Sequence, residues 1–185
     1  MGKASKQRHK KPEKRLYAVA IGSNQPLSRK LGPKAIVAAA ILALNRKPLR
    51  VRAIAPTLCS RPLGPSARDY ANSAVLIRTR LSPAALLDHL QAVEARFGRR
   101  RRRRWGARTL DLDIILWEGG VVRSPCLAIP HPGLTARAFV LTPLRAIAPR
   151  WRDPASGLSI AHLAARHARA RPMRAKPVDH DRSPR

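Results

Sequence analysis

TLDLDIILW, residues 109–117, alternates at period two, which predicts Leu110, Leu112, Ile114 and Leu116 on one face and Asp111, Asp113 and Ile115 on the other. That alternation marks a strand with one face in a core. Two aspartates at this spacing have Cα atoms about 6.5–7 Å apart on one side of the strand, so their carboxylates can converge. At an effective dielectric near 20, such a pair repels by roughly 2 kcal/mol, a cost that a bound divalent cation reverses. Oxygen ligands with no His or Cys beside them suit magnesium, which completes its shell with water and substrate phosphate. A solvated edge strand carrying two charges fits the spacing equally well, so the pair alone does not decide its own role.

The flanks add cations. Arg108 stands three residues before Asp111, and the arginine run 99–104 leads into the strand through Trp105 and Gly106. Carboxylates and guanidiniums on one short segment fit a polyphosphate, whose oxygens need both metal and hydrogen-bond donors during transfer. A solvated loop accounts for most of the six arginines; only one or two need touch phosphate.

Farther out, residues 16–21 (LYAVAI) read as a buried strand ending in a GSN turn, and residues 34–44 as an alanine-rich helix behind Pro33. Residues 49–59 alternate around Val51, Ala53 and Ala55 and predict a second strand, with Pro56 at an edge or bulge. Pro62, Gly64 and Pro65 make residues 60–70 a loop, and residues 71–80 alternate as a strand. Ser82 and Pro83 open a helix that runs to about Phe97 and ends at Gly98. Glu118, Gly119 and Gly120 form a turn that returns VVRS as a hairpin. Residues 139–148 and 158–167 are helical by pattern, with a break expected at Pro143. Interleaved strands and helices with hairpins give an α+β or α/β sandwich class.

A chain of 185 residues with 44% hydrophobic content predicts one domain. The net charge of +28 points first to nucleic acid. Yet residues 1–15 carry seven Lys/Arg against one Glu, and residues 166–185 carry seven against two Asp, so eleven of the charges are terminal. Extensions 1–15 and 168–185 are expected to be disordered and to make weak nonspecific polyanion contact, flanking a domain of residues 16–167. A nucleic-acid module competes on charge, but the core has few aromatics for base stacking. No apolar run is long enough to span a bilayer and no secretory h-region is present, so the cytoplasm is the expected location and no membrane partner is expected. Cys59 and Cys126 lack metal-ligand spacing and read as free thiols.

RWGARTLDLDII closely resembles the signature of the 6-hydroxymethyl-7,8-dihydropterin pyrophosphokinase family. IGSN, RPLGP followed by DYANSAV, QAVEARFGR and IPHPGLTARAFVLTPLRAIAP resemble family segments in the same order, over roughly residues 16–165. The resemblance implies an α+β fold, a three-layer α/β/α sandwich with a ferredoxin-like core. It implies transfer of diphosphate from ATP to the pterin hydroxymethyl group in folate biosynthesis, with release of AMP, by a monomer. Two magnesium ions (Mg2+) would be held by Asp111 and Asp113, and no protein nucleophile would be needed.

By the same resemblance, Arg99, Arg108, Asp111 and Asp113 are the catalytic set. Gln91, Glu94, Arg101, Trp105, His131 and Arg137 match ATP-side positions, with Trp105 on a closing loop. Tyr70 and Phe139 match the aromatics that sandwich the pterin, Asn72 the amide that reads its polar edge, and Ser60 and Leu63 its loop contacts. The chain departs from the family pattern at Ser60-Arg61, where Thr-Pro is common, at Cys126, where a basic residue is usual, and in its all-arginine lid.

Overall fold

The first apolar run becomes β1 (Arg15–Ser23), the strand on which the others assemble in this computed structural model, which describes residues 12–60, 70–99 and 108–170. Tyr17, Val19 and Ile21 point into one core, and Ala18 and Ala20 into another. A strand apolar on both faces belongs at the centre of a sheet covered on both sides, and β1 lies there. The sheet runs β2 (Arg50–Ile54), β4 (Tyr70–Thr79), β1, β5 (Asp111–Trp117), and β3 (Leu58–Ser60) also pairs with β4. Every pairing is antiparallel.

Two helices cover one face. In α1 (Pro33–Leu44), Pro33 opens the first turn, and Ile36, Val37, Ala40 and Leu44 are buried. In α2 (Pro83–Arg96), Ser82 caps the start by accepting from Ala85 N–H at 3.3 Å, and Gly98 leaves the end at φ 73°, where a residue without Cβ is unstrained. On the other face, α3 (Ala138–Ile147) and α4 (Ile160–Ala170) pack Val140, Leu141, Leu144, Ile160 and Leu163 against Ala18, Ala74, Ile115 and Leu116. The result is the expected three-layer α/β/α sandwich, with the β1-α1-β2 and β4-α2-β5 units interleaved in ferredoxin-like order.

Four local expectations are corrected. Residues 49–59 form two strands, because Pro56 has no N–H for the ladder and divides β2 from β3. Leu116 does not share a face with Leu110, Leu112 and Ile114. The register between β1 and β5 shifts at Ala18/Val19, Ile115 becomes the extra residue, and Leu116 joins the α3/α4 core. The turn after Trp117 does not fold VVRS back on β5; β6 (Val122–Ser124) pairs with β7 (Leu127–Ile129) in a separate ribbon. Finally, α3 runs unbroken through Pro143, which is buried: one lost N–H bond, costing about 3 kcal/mol in a helix interior, is offset by packing against the sheet.

Trp117 stacks on Tyr17 with ring centroids 5.4 Å apart, and the Tyr17 hydroxyl donates to Leu81 O at 2.8 Å. Burial pushes that phenol up to about 12, so it stays a donor. Gly119 follows beneath the indole, where a Cβ would lie 2.3 Å from the ring.

Candidate active site

The antiparallel ladders bring the strand ends 70–72, 22–24 and 111–113 to one edge. One row of partners reads Asn72, Gly22, Asp111 across β4, β1 and β5, and Asp113 lies opposite Ala20. Asn24, just past β1, donates its N–H to Arg108 O at 3.1 Å and accepts from Arg108 N–H through Oδ1 at 2.8 Å. This two-point clamp sets where Arg108 stands relative to β5. The GSN turn was legible in the sequence, but its partner 84 residues away was not.

Asp111 sits between two guanidiniums. Arg108 reaches its Oδ2 at 2.6 Å and Arg99 lies 2.8 Å from its Oδ1. Oδ1 is nevertheless buried and aligned with no hydrogen-bond donor. Arg99 is shared with Glu94, which also accepts from Leu112 N–H at 2.7 Å. Leu112 is the residue between the two aspartates, so Glu94, 4% exposed, fastens the backbone that carries them. Burial pushes the Glu94 carboxyl up, against the pull of the Leu112 N–H and Arg99.

Asp113 is pushed above the usual carboxylate range, first by burial and then by Asp111, while His131, Arg108 and Arg137 pull it down. Those influences place all four neighbours within electrostatic reach of Asp113. His131 Nδ1 accepts from Gly133 N–H at 2.9 Å, so the neutral ring carries its proton on Nε2. Arg137 crosses Gly133 so closely that a Cβ there would lie 2.7 Å from its Nε, and its guanidinium carbon lies 5.8 Å from the Phe139 ring centre. Tyr70 is near enough to Arg108 to influence it electrostatically. Asn72 donates to Ser60 Oγ at 2.6 Å, leaving its Oδ1 beside Gly22.

The expected residues therefore divide. Glu94, Arg99, Arg108, Asp111, Asp113, His131, Arg137 and Phe139 form one linked group, with Tyr70, Asn72 and Ser60 along the same edge. Gln91 is half-buried on α2, one turn before Glu94, and shares no hydrogen bond with the group among the described residues. Leu63, Arg101 and Trp105, like most of the arginine run and residues 1–11 and 171–185 of the extensions, lie outside the described residues, whereas Arg15 opens β1 and residues 168–170 complete α4, so the expected boundaries at 16 and 167 move outward.

The donor set suits a hard cation. Two carboxylates share one face of β5, the buried Oδ1 of Asp111 has no aligned hydrogen-bond donor although the Arg99 cation lies beside it, and burial raises Asp113 above the usual carboxylate range. Among the described residues, no group of three or more His, Cys, Asp and Glu could cage a metal without help. A pair that leaves several coordination positions to water and phosphate is the magnesium pattern.

Residues 18–149 match the family described as 7,8-dihydro-6-hydroxymethylpterin-pyrophosphokinase (HPPK). The chain belongs to that family. A Pseudomonas aeruginosa 2-amino-4-hydroxy-6-hydroxymethyldihydropteridine pyrophosphokinase is 44% identical over 142 residues, covering 76% of this chain and 84% of the relative. A Synechocystis protein of the same name is 49% identical over 104 residues, 56% of this chain and 53% of its own length. Among solved structures, a Plasmodium falciparum HPPK-DHPS with pteroate superposes with a TM-score of 0.67 at 11% identity, over 86% of this chain and 43% of that one. At that identity the likeness is one of fold, and this chain spans less than half of the longer protein. No described helix is long and apolar enough to cross a membrane.

Proposed function

We propose that this HPPK-family chain transfers diphosphate from ATP to the hydroxymethyl oxygen of 6-hydroxymethyl-7,8-dihydropterin, a step of folate biosynthesis. The observation that carries the reading is the convergence of Asp111 and Asp113 with Arg99, Arg108, His131 and Arg137, two strands away from Asn72 across β1. A flat heterocycle with a polar edge fits Asn72 between Tyr70 and Phe139; a polyphosphate fits the guanidiniums.

Asp111 and Asp113 are the residues that would hold two magnesium ions, which when bound neutralise phosphate oxygens. Arg99, Arg108 and Arg137 bind and orient the polyphosphate, and His131 offers Nε2–H to it. The hydroxymethyl oxygen then forms its bond to the β-phosphorus as the bond from that phosphorus to the α-phosphate oxygen breaks; AMP leaves and the hydroxyl proton passes to solvent. Positioning and charge stabilisation suffice; no covalent enzyme intermediate is needed. Glu94 serves the site from behind, through Leu112 and Arg99. On this reading the enzyme is a cytoplasmic monomer.

Incubation with magnesium, ATP and 6-hydroxymethyl-7,8-dihydropterin tests this directly: AMP and the diphosphorylated pterin are expected in equal amounts. Release of ADP would overturn attack at the β-phosphorus.

Weak polyanion contact is a second reading, favoured by one observation beyond the basic extensions. Arg78, exposed although β4 is an interior strand, lies directly opposite Arg50, and neither has an ion-pair partner among the described residues. Like charges so opposed are unfavourable until an anion neutralises them. Removing residues 1–11 and 171–185 and replacing both arginines by Gln should weaken salt-dependent duplex binding and spare turnover; loss of turnover would count against this division of the chain.

A further inference from the structure

Gly22 stands where the fold asks for no glycine. It lies within the central strand of the sheet, a place where glycine weakens pairing and contributes no packing. Its backbone is not in the left-handed region, as the positive-φ glycines among the described residues are Gly98, Gly120 and Gly157. A Cβ built on it would meet Asn72 Oδ1 at 3.4 Å and Asp111 Cβ at 3.9 Å, both ordinary contacts. Alanine would therefore fit the protein without strain.

The same position is partly open to solvent between buried Ile21 and Ser23. The missing side chain would project between the amide of Asn72 and the carboxylate of Asp111, its two partners in the row. Two strand spacings, about 10 Å, separate those partners. That span is comparable to a two-ring heterocycle with its hydroxymethyl arm and a metal–oxygen contact. When neither backbone conformation nor packing calls for glycine, the remaining physical reason is the close approach of something else.

We infer that Gly22 is a specificity-determining position, its bare backbone forming the floor over which the pterin's hydroxymethyl arm passes from Asn72 toward Asp111. The inference rests on the pterin reading above and adds to it a determinant of which pterins are accepted. The site takes a heterocycle whose arm lies flat on the sheet, and a methyl group at residue 22 lifts that arm from the phosphate.

The test compares the full-length protein with Gly22→Ala and Asn72→Ala, measuring melting temperature and binding of three ligands: magnesium with α,β-methylene-ATP, 6-hydroxymethyl-7,8-dihydropterin, and 7,8-dihydropterin lacking the arm. For Gly22→Ala the melting temperature should hold or rise, and nucleotide affinity should stay within about twofold. Affinity for the hydroxymethyl pterin should fall by about 10- to 200-fold, the usual effect of one surplus methylene in a pocket. The armless pterin should lose less. Asn72→Ala should weaken both pterins alike. A lowered melting temperature with uniform loss of all ligands in Gly22→Ala would make the glycine structural and overturn the inference, as would unchanged pterin binding. If Asn72→Ala left both pterins unaffected, the pterin reading itself would fail, and the inference with it.

Discussion

Asn72 and Asp111 occupy the same row of the sheet, on strands either side of β1, with only Gly22 between them. A group that reads the polar edge of a ring and a group that handles phosphate are thus held at a separation set by strand spacing, with no flexible element between. Their effects should separate in kinetics. Asn72→Ala removes one hydrogen-bonding group, so the pterin KM should rise by up to about tenfold, with kcat and the nucleotide KM little changed. A fall in kcat alone would move Asn72 out of the pterin pocket.

Asp111→Ala and Asp113→Ala should each slow transfer by about 10³-fold or more, the scale of several kcal/mol of lost charge stabilisation. Neither carboxylate lies in a hydrophobic core cluster, so near-UV circular dichroism should stay native. Magnesium-dependent thermal stabilisation should disappear in both, and a variant that kept it would show that the metal is held elsewhere.

Proton linkage gives a sign that can be checked without substrate. Burial, and then the Asp111 carboxylate, raise Asp113, and burial raises Glu94. The folded chain therefore holds these protons more tightly than the unfolded chain does. Their contribution to stability is fully present below ordinary carboxyl values and is lost as pH rises through the raised ones. The metal-free protein should melt at lower temperature as pH climbs from that acidic side toward neutrality, with a flatter profile in Asp113→Asn. Because metal binding requires the ionised form, the stabilisation by magnesium should grow as pH rises through the raised values.

Glu94 has two duties that two substitutions separate. Gln keeps an oxygen for Leu112 N–H but loses the charge facing Arg99; Ala loses both and leaves a buried N–H unpaired, costing about 1–3 kcal/mol. Chemical denaturation should find Glu94→Gln milder than Glu94→Ala by most of that amount. Equal loss in both would mean that the Leu112 bond contributes little.

Gly119 offers a stability control remote from the chemistry. Alanine there meets the Trp117 ring at 2.3 Å, and the ring is braced by Tyr17, so overpacking should cost about 1–3 kcal/mol. Pterin and nucleotide affinities should persist in the folded fraction. Little change in the denaturation midpoint would show that the indole has room to move.

Much of the site was legible because its groups lie close along the chain or within quoted motifs. Arg108, Asp111 and Asp113 fall within six residues, and the strand period put both carboxylates on one side. Less legible were the groups defined by a partner. Glu94 reads as a nucleotide contact on a helix face, yet its oxygen meets Leu112. Asn24 reads as a turn residue, yet it clamps Arg108. Leu116 followed the alternation until a bulge, a property of two strands together, turned it to the opposite core.

What the sequence by itself determined is the list of elements, the family resemblance and the DLD strand, because period, caps and breakers act over a few residues of backbone. What only the tertiary structure decided is which distant residues share a row, a buried oxygen or a proton. Those follow from strand order, register and burial, which arise when separate segments compete for the same core. Gly22 shows the difference: in the sequence it is one glycine of a turn motif, and only the ladder sets it between Asn72 and Asp111.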